Sequence, residues 1–212
     1  MDNIIIGVIS RDENINGSIY KVISKNNFKY LNNKCSYIGI INMDNDKIDL
    51  NIINICDGII IPGGDKICNY HFKLLDYCVE NNIPILGICM GCQIIGLYSF
   101  GGNDNDLIKI DGHHMSNHYI DIDKNSVLYN LLGDKVIVNS RHKYALPNSK
   151  VKYKVGARCE NVIESIEYID KNCFLLGIEW HPEDMDNMEG IYSYFLKEVL
   201  KRKINKDKKY YS

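Results

Sequence analysis

The chain predicts an α/β fold on a mostly parallel central sheet, and three observations carry that prediction. Short apolar runs bounded by glycine, proline or polar residues recur at Ile4 to Ile9, Tyr37 to Ile41, Gly58 to Ile61 and Ile83 to Ile88. They alternate with segments of helical spacing, above all Asn69 to Asn81, where Phe72, Leu74, Leu75, Cys78 and Val79 recur. The strands are continuously apolar, which marks a sheet covered on both faces. In such sheets sites form at the carboxyl ends of strands.

In order, Ile4 to Ile9 is the first strand. Ser10 to Gly17 reads as a loop and Ser18 to Asn27 as a short helix with Ile19, Tyr20, Val22 and Ile23 on its apolar side. Tyr37 to Ile41 is the second strand, Asp49 to Ile55 a short helix, and Gly58 to Ile61 a third strand ended by Pro62-Gly63-Gly64-Asp65. The helix over 69–81 leads to the strand Ile83 to Ile88. Beyond the next helix the texture changes. Short strands at His113 to Ile122, Lys135 to Val138, Lys152 to Val155, Val162 to Tyr168 and Phe174 to Ile178 predict a smaller antiparallel extension in the second half. Gly190 to Leu200 is a closing helix. Residues 1–200 thus form one domain, with no internal repeat or linker, and the basic tail 201–212 is expected to be frayed or disordered.

The 212 residues are enough for one domain with a substantial core. A net charge of −2 gives no electrostatic case for nucleic acid or an anionic membrane. No apolar run approaches a membrane span, and the first residues have no basic leader. Eight cysteines are scattered without a disulfide-like spacing, which with the missing export signal favours reduced thiols and a cytoplasmic setting.

The chemistry centres on Gly87-Ile88-Cys89-Met90-Gly91-Cys92-Gln93, between a buried strand and the helix starting Gln93-Ile94-Ile95-Gly96. A nucleophile on a sharp strand-to-helix turn, with small residues on either side, is a nucleophile elbow. The helix amino terminus behind it is expected to lower the thiol pKa and to hold a developing oxyanion. The second signal is Gly177-Ile178-Glu179-Trp180-His181-Pro182-Glu183, a strand ending at a histidine with a carboxylate two residues on. Cys89, His181 and Glu183 then make nucleophile, base and orienter. Glu183 is preferred over Glu179, which alternates with Ile178 along the strand. The third part is Pro62-Gly63-Gly64, whose Gly64 N–H with the Met90 N–H would form the oxyanion hole.

With these residues in place the chain resembles the class I glutamine amidotransferase superfamily over about residues 4 to 200. Val138-Asn139-Ser140-Arg141-His142 and the Trp180-His181-Pro182-Glu183 form are most similar to the γ-glutamyl-γ-aminobutyrate hydrolase family, peptidase C26. The resemblance implies a flavodoxin-like three-layer sandwich and hydrolysis of a small γ-glutamyl amide through a γ-glutamyl thioester on Cys89. It also implies substrate-binding roles for Gln93, Asn139, Ser140 and His142. The partner is then a small-molecule γ-glutamyl substrate, with neither nucleic acid nor membrane, and a homodimer is compatible with the chain. The alternative is a glutaminase subunit delivering ammonia to a separate synthetase. A non-catalytic binding protein on the same fold is disfavoured by the intact triad. Two segments depart from the family. Asp65 to Asn69 is short where relatives often carry a long loop, and the stretch after Phe100-Gly101-Gly102 is short and polar. Both face the leaving group in the family.

Other features read as structural. Cys89 and Cys92 are formally C-x-x-C, but a redox pair needs neither Gly87 nor a distant His-Pro-Glu, and Cys92 is expected to be a small core residue. His113, His114 and His118 are the densest histidine cluster, with Cys159 or Asp111 as conceivable further ligands. They are read as a polar strand edge near the mouth of the site, and neither a metal nor a cofactor is expected.

Overall fold

The computed structural model describes residues 4–170 and 173–210. Thirteen strands and five α-helices occur in it. In chain order they are β1 (Ile5–Ile9), β2 (Arg11–Ile15), β3 (Ser18–Val22), β4 (Ser36–Ile40), α1 (Leu50–Asn54), β5 (Gly58–Ile61), α2 (Asn69–Glu80), β6 (Ile85–Ile88) and α3 (Met90–Tyr98). Then follow β7 (Ile108–Lys109), β8 (His114–Ile122), α4 (Tyr129–Leu132), β9 (Lys135–Arg141), β10 (Tyr144–Ala145), β11 (Lys154–Cys159), β12 (Val162–Ile169), β13 (Phe174–Ile178) and α5 (Glu189–Tyr210).

Nine strands form one sheet in the order β4-β1-β5-β6-β13-β12-β11-β8-β9. The half from β4 to β13 is parallel, and from β12 to β9 every neighbour is antiparallel. This is the flavodoxin-like sandwich with its antiparallel extension. Side chains along the parallel strands alternate between two cores. Ile60, Leu86, Leu176 and Ile178 pack with Trp180, Tyr192 and Phe195 on the α5 face. Ile59, Ile61, Ile85 and Leu175 pack with Leu74, Leu75, Ile94 and Ile95 on the face of α2 and α3. Both faces are buried, so the strands read as unbroken apolar runs. No helix among the described residues is long and apolar enough to cross a membrane.

The amino-terminal region corrects two expectations. Arg11–Ile15 is not a loop and Ser18–Val22 is not helical; they pair as the antiparallel hairpin β2–β3, and the expected helix survives only as a 3-10 turn at Lys25–Phe28. Asn16 and Gly17 both have positive φ, 52° and 86°. An Asn-Gly pair in that conformation makes the tight turn whose twist matches a hairpin. The apolar side expected of a helix is largely solvent-facing, with Ile19 65% exposed. At the other end, the segment expected to fray continues α5 as far as Tyr210, and residues 211 and 212 lie outside the described residues.

Helix α2 begins with a buried histidine. His71 Nδ1 lies 3.0 Å from the Cys68 backbone N–H and accepts from it. Burial lowers the His71 pKa to about 4. The unfolded chain, near 6.5, then binds the proton more readily than the folded one. The resulting stability is complete above pH 6.5 and is lost as pH falls toward 4, with about 2 kcal/mol gone by pH 5. Urea unfolding of His71→Asn, which keeps an acceptor but not the titration, should lose less stability between pH 7 and pH 5 than the parent chain. Equal losses would refute this assignment.

Candidate active site

The carboxyl ends of β5, β6 and β13 meet at one place, and each delivers one sequence signal there. β6 ends at Ile88, and Cys89 follows at φ 51°, ψ −106°, immediately before α3. A positive φ on a non-glycine residue costs on the order of 1–3 kcal/mol, and it persists here because its surroundings hold it. The Cys89 N–H donates to the Ile178 carbonyl at 2.7 Å, and the Cys89 carbonyl accepts from Gln93 N–H at 3.0 Å. The flanking glycines explain how so sharp a turn packs. A Cβ on Gly91 would stand 2.2 Å from the Ile61 carbonyl oxygen, and one on Gly87 would stand 2.5 Å from the Gly91 backbone. Strand β5, strand β6 and the start of α3 therefore touch through backbone alone.

His181 lies three residues past the end of β13. Its Nδ1 is 2.8 Å from Glu183 Oε1, with both side chains buried. Pro182 opens the single 3-10 turn that brings Glu183 back to the ring. That contact occupies Nδ1 and leaves Nε2 as the ring nitrogen available to a substrate or a thiol. A point one Cβ out from Gly63 lies 3.4 Å from His181 Nε2 and 3.5 Å from Cys89 Cβ, so the Gly63 turn stands beside both residues and brings them to one place. Glu179 does not meet the His181 ring. Its carboxylate receives Gln93 Nε2–H and stands 3.3 Å from His142 Nδ1.

The thiol environment differs from the expectation of a lowered pKa. Burial first, and then the Glu179 carboxylate, push Cys89 well above its ordinary value, while the Met90 backbone N–H opposes them. One helix N-terminus does not outweigh an almost fully buried sulfur with acidic neighbours. The resting group is the neutral thiol.

Several residues expected to touch substrate spend their polar atoms inside the protein. Asn139 on β9 clamps the His181 backbone on both sides: Nδ2–H donates to the His181 carbonyl at 2.9 Å, and Oδ1 accepts from the His181 N–H at 2.8 Å. Ser140 is buried and donates to the His113 carbonyl. Gln93 Nε2–H is shared between the Tyr144 carbonyl and Glu179. His142 is buried between Glu164 and Glu179. Cys92 is fully buried against Gly177 of β13, the core position expected of it. Gly64 lies beside Met90 at the mouth of the turn, where a Cβ would stand 3.0 Å from Met90 Cε.

The sequence reading missed Arg11. Its Nη1–H donates to the Gly63 carbonyl at 3.3 Å and braces the turn facing Cys89. Nothing in the local pattern of an arginine opening a hairpin announces that contact. Arg141 likewise pairs within the protein, with Asp184 beside the His181 turn at 2.5 Å.

Asn139 gives a direct test of how the histidine is held. Asn139→Ala removes both clamps and should lower kcat about ten-fold at nearly unchanged KM, because the base loses alignment while the pocket is retained. Steady-state kinetics separates the two parameters. A rise in KM alone would return Asn139 to substrate binding.

A separate cleft of about 700 Å³, lined by residues including Asn81, Pro84, Phe174 and Arg202, lies at the opposite, amino-terminal ends of β6 and β13. The chemistry-bearing side chains are not there.

Comparisons with known proteins bear on the family and the fold. The profile of the peptidase C26 family matches residues 69–183, which include Cys89, Asn139 and the His181–Glu183 turn. Protein NtpR of Enterococcus hirae is 29% identical over 145 residues, covering 61% of this chain and 61% of that protein. The carbamoyl phosphate synthase small chain of Buchnera aphidicola is 27% identical over 155 residues, covering 69% of this chain and 38% of the relative. CTP synthase of Borreliella afzelii is 26% identical over 193 residues, covering 73% of this chain and 36% of the relative. The chain thus spans less than two thirds of the length of each of these relatives. Among solved structures, a Thermoplasma acidophilum protein assigned provisionally to GMP synthase superposes with a TM-score of 0.72 at 19% identity, covering 97% of this chain and 99% of that one. The glutaminase domain of Trypanosoma brucei CTPS with bound acivicin follows at 0.69 and 15%, covering 94% of each. The family match over more than half of the chain, on a fold shared with those amidotransferase domains, shows that this chain belongs to the peptidase C26 family of the class I glutamine amidotransferase superfamily.

Proposed function

We propose that the chain is a cysteine hydrolase that cleaves the γ-glutamyl amide bond of a small γ-glutamyl compound and releases glutamate and an amine. The observation that carries this reading is Cys89 held at positive φ on its elbow, beside the Gly63 turn that also adjoins a histidine oriented by Glu183. His181 Nε2 takes the thiol proton as Sγ attacks the amide carbonyl carbon. The tetrahedral oxyanion is held by the N–H groups of Met90 and Gly64. Collapse breaks the C–N bond as His181 returns its proton to the leaving nitrogen, leaving a γ-glutamyl thioester on Cys89. Water, deprotonated by the same nitrogen, then attacks the thioester, and the thiol leaves as glutamate departs. The neutral resting thiol suits this sequence, because proton transfer accompanies attack instead of preceding it.

The second reading is a glutaminase subunit that passes ammonia to a separate synthetase. Its support is the similarity to the carbamoyl phosphate synthase small chain and to CTP synthase. One experiment separates the two: glutamate release from glutamine, a panel of γ-glutamyl amines and folyl polyglutamates, with the purified chain alone. Turnover of a γ-glutamyl amine other than glutamine supports the hydrolase. Turnover of glutamine only, and only with an added synthetase, supports the subunit. Turnover of no γ-glutamyl compound under either condition would refute both.

A further inference from the structure

The antiparallel half of the sheet contains a second cluster that the proposed chemistry does not use. Glu164 of β12 is fully buried, between buried Ile163 and Ser165. Three imidazole nitrogens surround its Oε1: His118 Nε2 at 3.1 Å, His113 Nδ1 at 3.3 Å and His142 Nε2 at 3.5 Å. The rings pack on one another, with His113 centroids 4.5 Å from His118 and 5.0 Å from His142. None of these contacts has the alignment of a good hydrogen bond, although together the three rings hold the Glu164 carboxyl well below its usual range against the cost of burial. Both Glu164 oxygens, His113 Nδ1, both His118 nitrogens and His142 Nε2 are buried without a hydrogen-bond partner among the described residues.

Close approach without hydrogen-bond alignment is how ligands stand around a cation. Zinc bonds of 2.0–2.1 Å in a tetrahedron put neighbouring ligand atoms about 3.3 Å apart. The separations of His113 and His142 from Glu164 Oε1, 3.3 and 3.5 Å, stand close to that value. His113, His142 and Glu164 each bring one ligand atom within 4.8 Å of the others. The tautomer of His142 fits as well. Its Nδ1 faces the Tyr144 carbonyl at 3.0 Å, so a proton there leaves the Nε2 lone pair free. A second ring nitrogen fixed by a backbone carbonyl is the usual support of a metal-bound histidine. A fully buried carboxylate with no hydrogen bond also needs a positive partner. Two imidazoles and one carboxylate select a borderline transition ion over calcium or magnesium, which take oxygen ligands.

We propose that His113, His142 and Glu164 bind a single divalent transition-metal ion, zinc by donor set and spacing, with the fourth position left to water and His118 standing against Glu164 outside the set. The ion ties the turn into β8, β12 and the β9–β10 turn together. Cys159 approaches only the His113–His118 side and stands outside this ligand set. The proposed site includes neither Cys89 nor His181, and it would put a metal where the sequence reading expects a polar strand edge. The rival occupant is a proton shared between the imidazoles and Glu164, which would leave the cluster metal-free.

The test is zinc stoichiometry. The full chain is stripped with chelator, incubated with equimolar zinc, desalted and assayed for metal by mass spectrometry. Retention of a single zinc, a raised Tm, and the visible ligand-field bands of a four-coordinate ion on cobalt substitution are expected. Glu164→Gln and His113→Asn should weaken zinc binding at least ten-fold, with folding checked by circular dichroism. Cys89→Ala should retain the zinc. A wild-type chain that keeps no zinc would overturn the proposal whatever the variants do. So would loss of zinc in Cys89→Ala, which would place the ion at the thiol. Because the readout is metal content, its outcome is independent of whether any γ-glutamyl compound is turned over.

Discussion

Cys89→Ala should reduce glutamate release by roughly four orders of magnitude or more, since losing one member of a nucleophile–base unit costs nearly as much as losing the whole. The variant should fold normally. A second substitution tells geometry from chemistry. At φ 51°, ψ −106°, alanine keeps the backbone strain of the cysteine, whereas glycine adopts the same conformation freely. Cys89→Gly should therefore be as inactive as Cys89→Ala yet more stable by about 1 kcal/mol or more, read as the difference in urea midpoints at equal m. Measurable turnover by Cys89→Ala would end the thioester mechanism. A glycine variant less stable than the alanine variant would show that the elbow is not strained.

The second large effect is expected at Gly63, which carries no reactive group. A methyl there would stand 2.6 Å from His181 Cε1, closer than real Cβ atoms come to carbon. The ring has little room to yield. Glu183 holds Nδ1 at 2.8 Å, and Asn139 clamps the backbone on both sides. The turn is braced in its own way by Arg11. Gly63→Ala must therefore displace the His181 ring, and a misplacement near 1 Å costs about 100-fold in rate. The expected signature is a fall in kcat/KM with an unchanged fold by circular dichroism. Near wild-type activity would mean that the histidine approaches Cys89 along a different path. Gly64, whose nearest neighbour is the flexible end of Met90, should tolerate alanine better.

The parallel half of the fold was legible because its strands are buried on both faces. Gly58 to Ile61 and Ile85 to Ile88 are apolar at every position, and that pattern has few other readings. The elbow was legible for a related reason: Gly87 and Gly91 occur where backbone must meet backbone, and the structure shows what each would strike. The β2–β3 hairpin was misread. Its strands are half-exposed and polar, so periodicity was weak, and the informative signal was the Asn16-Gly17 pair at the turn. The Asn139-Ser140-Arg141-His142 segment runs beside the His181 backbone, but side-chain direction cannot be read from a motif. Asn139 turned to the backbone of His181 and His142 to a buried carboxylate. Glu164 was overlooked because a glutamate in a strand ordinarily marks a solvent face.

By itself, the sequence determined the α/β class, the strand-to-helix elbow at Cys89 and the His181-Pro182-Glu183 turn. Each of these is a local matter of apolar periodicity, glycine and proline, and local backbone preference is written in consecutive residues. Only the tertiary structure decided that burial and Glu179 leave the thiol neutral, that Gly63 stands close to both Cys89 and His181, and that three histidines from two separate segments converge on Glu164. Those properties depend on through-space distances between residues far apart in the chain. Desolvation, charge proximity and steric exclusion act across such distances and leave no period or spacing in the sequence.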